Sequence, residues 1–196
     1  MEDLEKTLND VLELRVPHVS LYSLTVEKGT AFDRLGYKPL DSDIEADMYE
    51  YIVRTLTENG YIQYEIANFA LEGHESKHNL AYWNYDDYRG LSCGSVGKYG
   101  HRRYTVTSDL KRYLDTADCV EIEELSNEEE AFENIMMSLR TVYGLDLEVF
   151  RNRYGIDFRQ RYSEAIEKNS DHLIFKDGHC ICVNTEILNT VLVDFM

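Results

Sequence analysis

The sequence predicts an α/β (α+β) chain in two domains, residues 1–120 and 121–196, the second with the element order of a winged helix. Three observations predict it. Helical and strand-like patterns alternate through the first domain. Between Arg112 and Arg140 no basic residue occurs, while Asp118, Glu121, Glu123, Glu124, Glu128, Glu129, Glu130 and Glu133 accumulate, a composition shift that marks a boundary. Beyond it the pattern reads as three helices, a hairpin and a closing helix.

The 196 residues, 43% hydrophobic and 29% charged, are enough to bury real cores. A net charge of -17 repels phosphate backbones, so nucleic acid is not an expected partner. No apolar run approaches the ~20 residues of a bilayer span. The first segment is acidic and amphipathic, unlike a signal or transit peptide, and a cytoplasmic location is expected. Cys93, Cys119, Cys180 and Cys182 form neither a CxxC pair nor a disulfide framework; Cys180 and Cys182 would share one strand face as reduced small hydrophobes. No nucleophile or paired-carboxylate constellation points to a hydrolase.

Residues 1–15 carry an apolar stripe at Leu4, Leu8, Val11 and Leu12, and Pro17 stops that helix. Residues 18–26 read as a buried strand. Residues 27–40, with two glycines and a proline, read as a loop beyond its carboxyl end, where α/β sheets bind ligands. Asp41 and a Ser42-x-x-Glu45 capping box open a helix with Ile44, Met48, Ile52 and Leu56 inward, closed by Asn59 and Gly60. Residues 61–67 form the next strand, and the order α, β, α, β suggests adjacent parallel strands.

Residues 64–83, YEIANFALEGHESKHNLAYW, hold Glu65, Asn68, Phe69, His74, His78, Asn79, Tyr82 and the only tryptophan, Trp83. On a helix His78 and Tyr82 share a face, with Trp83 beside them. An imidazole between aromatic rings suits a flat cofactor, and it suits a packed core equally. Gly90, Gly94, Gly97 and Gly100 permit sharp turns or close backbone approach, residues 102–107 form the return strand of a hairpin, and a short helix covers residues 109–114.

In the second domain Ser126-x-x-Glu129 caps a helix bearing Phe132, Ile135, Met136 and Leu139. Asp146 caps a short helix closed by Gly155, a third covers residues 157–168, Asp177-Gly178 turns a hairpin, and residues 185–195 close the chain. Arg159, Arg161 and Lys168 lie on the third helix, but acids balance bases around them and no basic stripe for DNA emerges.

HVSLYSLTVEKGTAF, YEIANFA, ESKHNLAYW, DYRGL and MSLRTVYGLDLEVF, in this order and spacing, resemble the oxygen-independent coproporphyrinogen III oxidase-like family of radical-SAM proteins, most closely its haem-chaperone branch. The resemblance implies the end of a partial (β/α) barrel with an appended hairpin, in residues 1–120, and a small winged-helix-like domain after it. It implies a [4Fe-4S] cluster and S-adenosylmethionine for the family. The CxxxCxxC cluster motif is absent from this sequence, so the chain reads as a carboxyl-terminal half without cluster chemistry of its own.

By the same resemblance His78, Asn79, Tyr82 and Trp83 match the HNxxYW motif associated with haem binding, with His78 as the iron ligand. Thr25 and the loop from Gly94 to Gly97 lie where the oxidase branch contacts S-adenosylmethionine, and Val96 replaces a family histidine there. The implied function is haem or porphyrin binding and delivery to a haem-acceptor protein. The alternatives are the substrate-binding part of a coproporphyrinogen III dehydrogenase and a protein-interaction module. A partial barrel would expose the strand at residues 18–26 as an edge, which invites a second copy. A homodimer by light scattering is the expected result, and a monomer would contradict it.

Overall fold

The structure, a computed structural model, describes residues 1–115, 119–183 and 187–196. The chain forms two compact units, Met1–Ser76 and Lys77–Met196.

The first unit runs α1 (Glu2–Leu14), β1 (His18–Ser20), α2 (Ala31–Arg34), α3 (Ser42–Glu58), β2 (Ile62–Gln63) and β3 (Asn68–Ala70). The stripe of α1 packs as its spacing requires: Leu8 is buried with Val19, Leu56, Tyr61 and Phe69, and Leu4, Val11 and Leu12 lie against them. The sheet corrects the expectation of adjacent parallel strands. Its order is β1-β3-β2, and β3 pairs antiparallel with both neighbours, Phe69 standing opposite Val19 on one side and Gln63 on the other. The physical reason is a tight reversal after β2, where the Tyr64 amide donates to the Asn68 carbonyl at 3.2 Å and turns the chain back between the two strands. Asn68, buried, meets the side chains of Ser20 and Glu65 at that reversal.

The strand expected over residues 18–26 shortens to His18–Ser20; β3 ends its pairing there, and Tyr22 and Leu24 are exposed. Asp41 rather than the Ser42–Glu45 box caps α3, accepting from the Asp43 amide at 3.0 Å. Ile44, expected inward, is exposed, because α1 covers only the later turns of α3, at Tyr51, Ile52, Val53 and Leu56.

The second unit begins on α4 (Lys77–Trp83) and continues through β4 (Val96–Tyr99), β5 (Arg102–Val106), α5 (Leu110–Asp115) and β6 (Val120–Glu124). The acidic run near residue 120 therefore includes a strand: β6 pairs with β5 in the register Arg102↔Glu124 and Arg103↔Glu123, with ion pairs at 2.7 and 2.9 Å. Asp118 lies outside the described residues.

Then follow α6 (Asn127–Ser138), β7 (Leu145–Asp146), α7 (Leu147–Tyr154), α8 (Phe158–Arg161), α9 (Ser163–Lys168), β8 (Leu173–Lys176), β9 (His179–Cys182) and α10 (Leu188–Val193). The capping box of Ser126 and Glu129 is complete, Asp146 caps α7, and Gly155 closes it at φ 69. Asp177 (φ 49) and Gly178 (φ 83) turn the hairpin with the twist that primed turns supply. A strand that the sequence pattern does not announce, β7, joins the hairpin in the order β7-β9-β8 and completes the winged-helix topology. The expected third helix is divided at Tyr162, whose φ −112 and ψ 28 break the helical run. On α8, the exposed Arg159 places its guanidinium 4.0 Å from the centroid of the Phe175 ring. The expected start of the last helix at Thr185 lies outside the described residues.

The core of this region gathers Ile135, Leu139, Leu145, Phe150, Phe158, Leu188 and Val191, with Cys180 and Cys182 on one face of β9. Among the described residues no helix is long and apolar enough to cross a membrane.

Candidate functional site

Helix α4 carries KHNLAYW in seven residues. Helices shorter than ~12–15 residues do not persist in water on their own, so its order comes from its neighbours. His78 is exposed and meets the Tyr82 ring edge-on, with centroids 4.9 Å apart at 86°. Tyr82 in turn meets Tyr88 at 4.6 Å and 71°. The rings thus form a series His78–Tyr82–Tyr88, each in the edge-to-face geometry that aromatic quadrupoles favour.

This arrangement brings together two of the residues expected at the site and adds one that sequence reasoning missed. Trp83 and Asn79 are half-buried on the same helix. The Trp83 carbonyl lies 3.3 Å from the Ser138 hydroxyl of α6. Tyr88 enters because its backbone bridges to Lys98 of β4 through two hydrogen bonds of 2.9 Å. Burial, the largest influence, raises the Tyr88 phenol pKa and keeps it protonated. The β4–β5 hairpin that positions Tyr88 demands glycine at residue 97, where a Cβ would stand 2.1 Å from the Tyr104 ring. Tyr104 in turn holds the DYRGL turn, its hydroxyl accepting from the Gly90 amide at 2.9 Å.

Thr25 is exposed on irregular chain in the first unit, and Val96 opens β4 in the second, also exposed. The structure describes neither as part of the ring series.

A charged network lies behind α4. Lys98 is 6% exposed, and its ammonium stands 3.3 Å from both Asp87 and Glu130 and 4.3 Å from the centroid of the Tyr85 ring. Such a cation is tolerable only because it is paired and stacked. His101 meets Glu130 as well. The Tyr85 hydroxyl donates to Glu133 at 2.6 Å, and Arg103 holds the same carboxylate from 2.7 Å. Burial first, then the Glu133 hydrogen bond and charge, push the Tyr85 phenol far above its ordinary range. Of these, Tyr85, Asp87, Lys98, His101 and Glu130 line, with Arg153, a cavity of about 350 Å³. In the sequence, Glu130 and Glu133 are three apart in an acidic run, a signal that names a helix face and not its partners.

The donors present do not fit an iron–sulfur cluster. Cys180 is fully buried in the apolar core, and burial pushes its thiol up to about 12. Among the described residues no three His, Cys, Asp or Glu side chains converge to hold a metal ion.

Comparison with known proteins agrees with this architecture. The HemN C-terminal domain family matches residues 125–186. Heme chaperone HemW of Lactococcus lactis is 36% identical over 100% of this chain and 55% of that protein. Heme chaperone HemW of Bacillus subtilis is 35% identical over 79% of this chain and 43% of its own length. The chain thus spans about half the length of the curated relatives it matches. The solved coproporphyrinogen III oxidase (HemN) from Escherichia coli, described as a radical SAM enzyme, superposes with a TM-score of 0.77 at 13% identity, covering 99% of this chain and 51% of that one, a likeness of fold.

Proposed function

This chain belongs to the HemN-like radical-SAM haem-chaperone family, matching its carboxyl-terminal half, and we propose that it binds haem in the cytoplasm and takes part in delivering it to an acceptor protein. The observation that carries the reading is the exposed His78 imidazole seated edge-on against Tyr82 and, through it, Tyr88. Imidazole is an ordinary axial ligand of haem iron, and aromatic rings beside it offer apolar surface to a porphyrin face. Haem is the cargo here. His78 is the iron ligand, Tyr82 fixes the imidazole, and Asn79 and Trp83 complete the motif on the same helix.

Residues 1–120 then correspond to the barrel-end segment, whose part from Lys77 on, motif included, packs in one compact unit with residues 121–196, the supporting domain that the match over residues 125–186 marks. We assign Thr25 and the loop from Gly94 to Gly97, which holds Val96, to S-adenosylmethionine contact in a longer, cluster-bearing protein. A second copy pairing on the outer edge of β1, which has no strand neighbour among the described residues in the order β1-β3-β2, is the homodimer we assign to the chain.

Titrating the chain with haem under absorption spectroscopy tests the reading. The expected result is saturable binding with a ligated-iron spectrum that His78→Ala abolishes, while Tyr82→Ala weakens affinity roughly tenfold, the scale of one aromatic contact. Absence of binding, or binding indifferent to His78→Ala, overturns it.

A further inference from the structure

The carboxyl end of α4 can be accounted for carbonyl by carbonyl. The Leu80 carbonyl accepts from the Asn84 amide at 2.8 Å, Ala81 from Asp86 at 2.9 Å and Tyr82 from Tyr85 at 3.0 Å. The last two are the crossed bonds of a Schellman close, a motif whose left-handed residue is usually glycine. Here it is Tyr85, at φ 59. A bulky residue in that conformation is strained and persists only when its surroundings over-determine it. Its surroundings do so from three elements: Glu133 of α6 takes its hydroxyl, Lys98 of β4 lies over its ring, and Arg153 of α7 takes its carbonyl.

Arg153 also closes the remaining gap. One guanidinium nitrogen donates to the Asn84 carbonyl at 3.2 Å and the Tyr85 carbonyl at 3.0 Å, and the other stands 3.6 Å from Asp86. A fixed cation at this end also complements the negative pole of the helix.

We propose that Arg153 is a positioning residue for haem binding: by clamping the Asn84 and Tyr85 carbonyls it holds the strained close of α4 and so sets the direction in which His78 and Tyr82 face the ligand. The inference rests on the haem reading above, since it assigns Arg153 a role in that site without contact to haem. It also gives the winged-helix domain a task, which is to supply from α6 and α7 the tertiary order that a seven-residue helix lacks.

The test compares the 196-residue chain with Arg153→Met, which keeps length and loses the donors, and Arg153→Lys, which keeps the charge and a donor. Amide hydrogen exchange, Trp83 emission and haem titration are read on each. In Arg153→Met the Tyr85 and Asp86 amides should exchange about tenfold faster, the scale of one charge-assisted hydrogen bond. Trp83 emission should shift, and haem affinity should fall about tenfold with a displaced ligated-iron band. The α6 amides of Ile135 and Leu139 should keep their rates, and Arg153→Lys should recover part of each change. Unchanged exchange at Tyr85 and Asp86, or faster exchange with unaltered haem affinity and band, overturns the proposal. If Arg153→Met loosens α6 as well, Arg153→Lys decides by the same criteria. Haem binding that depends on His78 but ignores Arg153 sinks the positioning role alone. A parent chain that binds no haem sinks the functional reading, and the exchange rates still decide whether Arg153 holds the helix end.

Discussion

Gly144→Ala should destabilise the second unit by about 2–5 kcal/mol, seen as a fall in the urea midpoint with little change in slope. Gly144 sits at φ +70, and an added Cβ would stand 2.2 Å from the Cys180 carbonyl oxygen and 2.8 Å from both the Cys180 carbonyl carbon and Ile181 Cγ1. Two of those atoms are backbone, so relief requires moving a strand. That strand is held in register, Leu145 opposite Cys180, by the pairing that makes β7 part of the winged-helix sheet. Gly155→Ala is the matched control: φ is +69 and nothing lies within 4 Å of the added Cβ, so only the left-handed penalty of about 1–2 kcal/mol applies. Equal losses at the two glycines would show that the close approach of Gly144 to β9 carries no weight.

Phe150→Ala is expected to be of similar or greater severity, about 3–5 kcal/mol. Phe150 is fully buried, edge-on to Tyr154 at 4.9 Å and to Phe158 at 5.7 Å, where the side chains of α7 and α8 meet. Truncation removes the apolar transfer energy and leaves a cavity that neighbouring rings cannot collapse into without leaving their own contacts. Ile174→Ala, at an exposed position of β8 in the same sheet, should change stability by no more than about 0.5 kcal/mol. Thermal or urea unfolding of both variants checks the contrast. A loss below about 1 kcal/mol at Phe150 would mean that this core is not packed around that ring. Because Phe150 and Arg153 project from the same helix, α7, Phe150→Ala should also weaken haem binding.

Local chemistry accounts for what was legible without a fold. The Ser126–Glu129 capping box, the Asp146 cap, the Gly155 stop and the Asp177-Gly178 turn all formed where the sequence places them, since each joins groups within four residues. The stripe of α1 and the shared face of His78 and Tyr82 follow from helical period alone. Strand neighbours are another matter. The α, β, α, β order is compatible with two parallel strands side by side, and only the reversal at Tyr64–Asn68 shows that β3 takes the place between them.

The candidate site divides in the same way. The residues of HNLAYW, their helix and the imidazole–phenol pair are properties of a short stretch and could be read from it. That Tyr88 extends the pair, that Tyr85 bears a left-handed backbone, and that Arg153 reaches carbonyls 68 and 69 residues earlier in the chain are not. A hydrogen bond across such a separation leaves no periodicity or spacing in the sequence. It exists only once α7 has packed beside the end of α4, and so the order of this seven-residue helix was decided by tertiary structure.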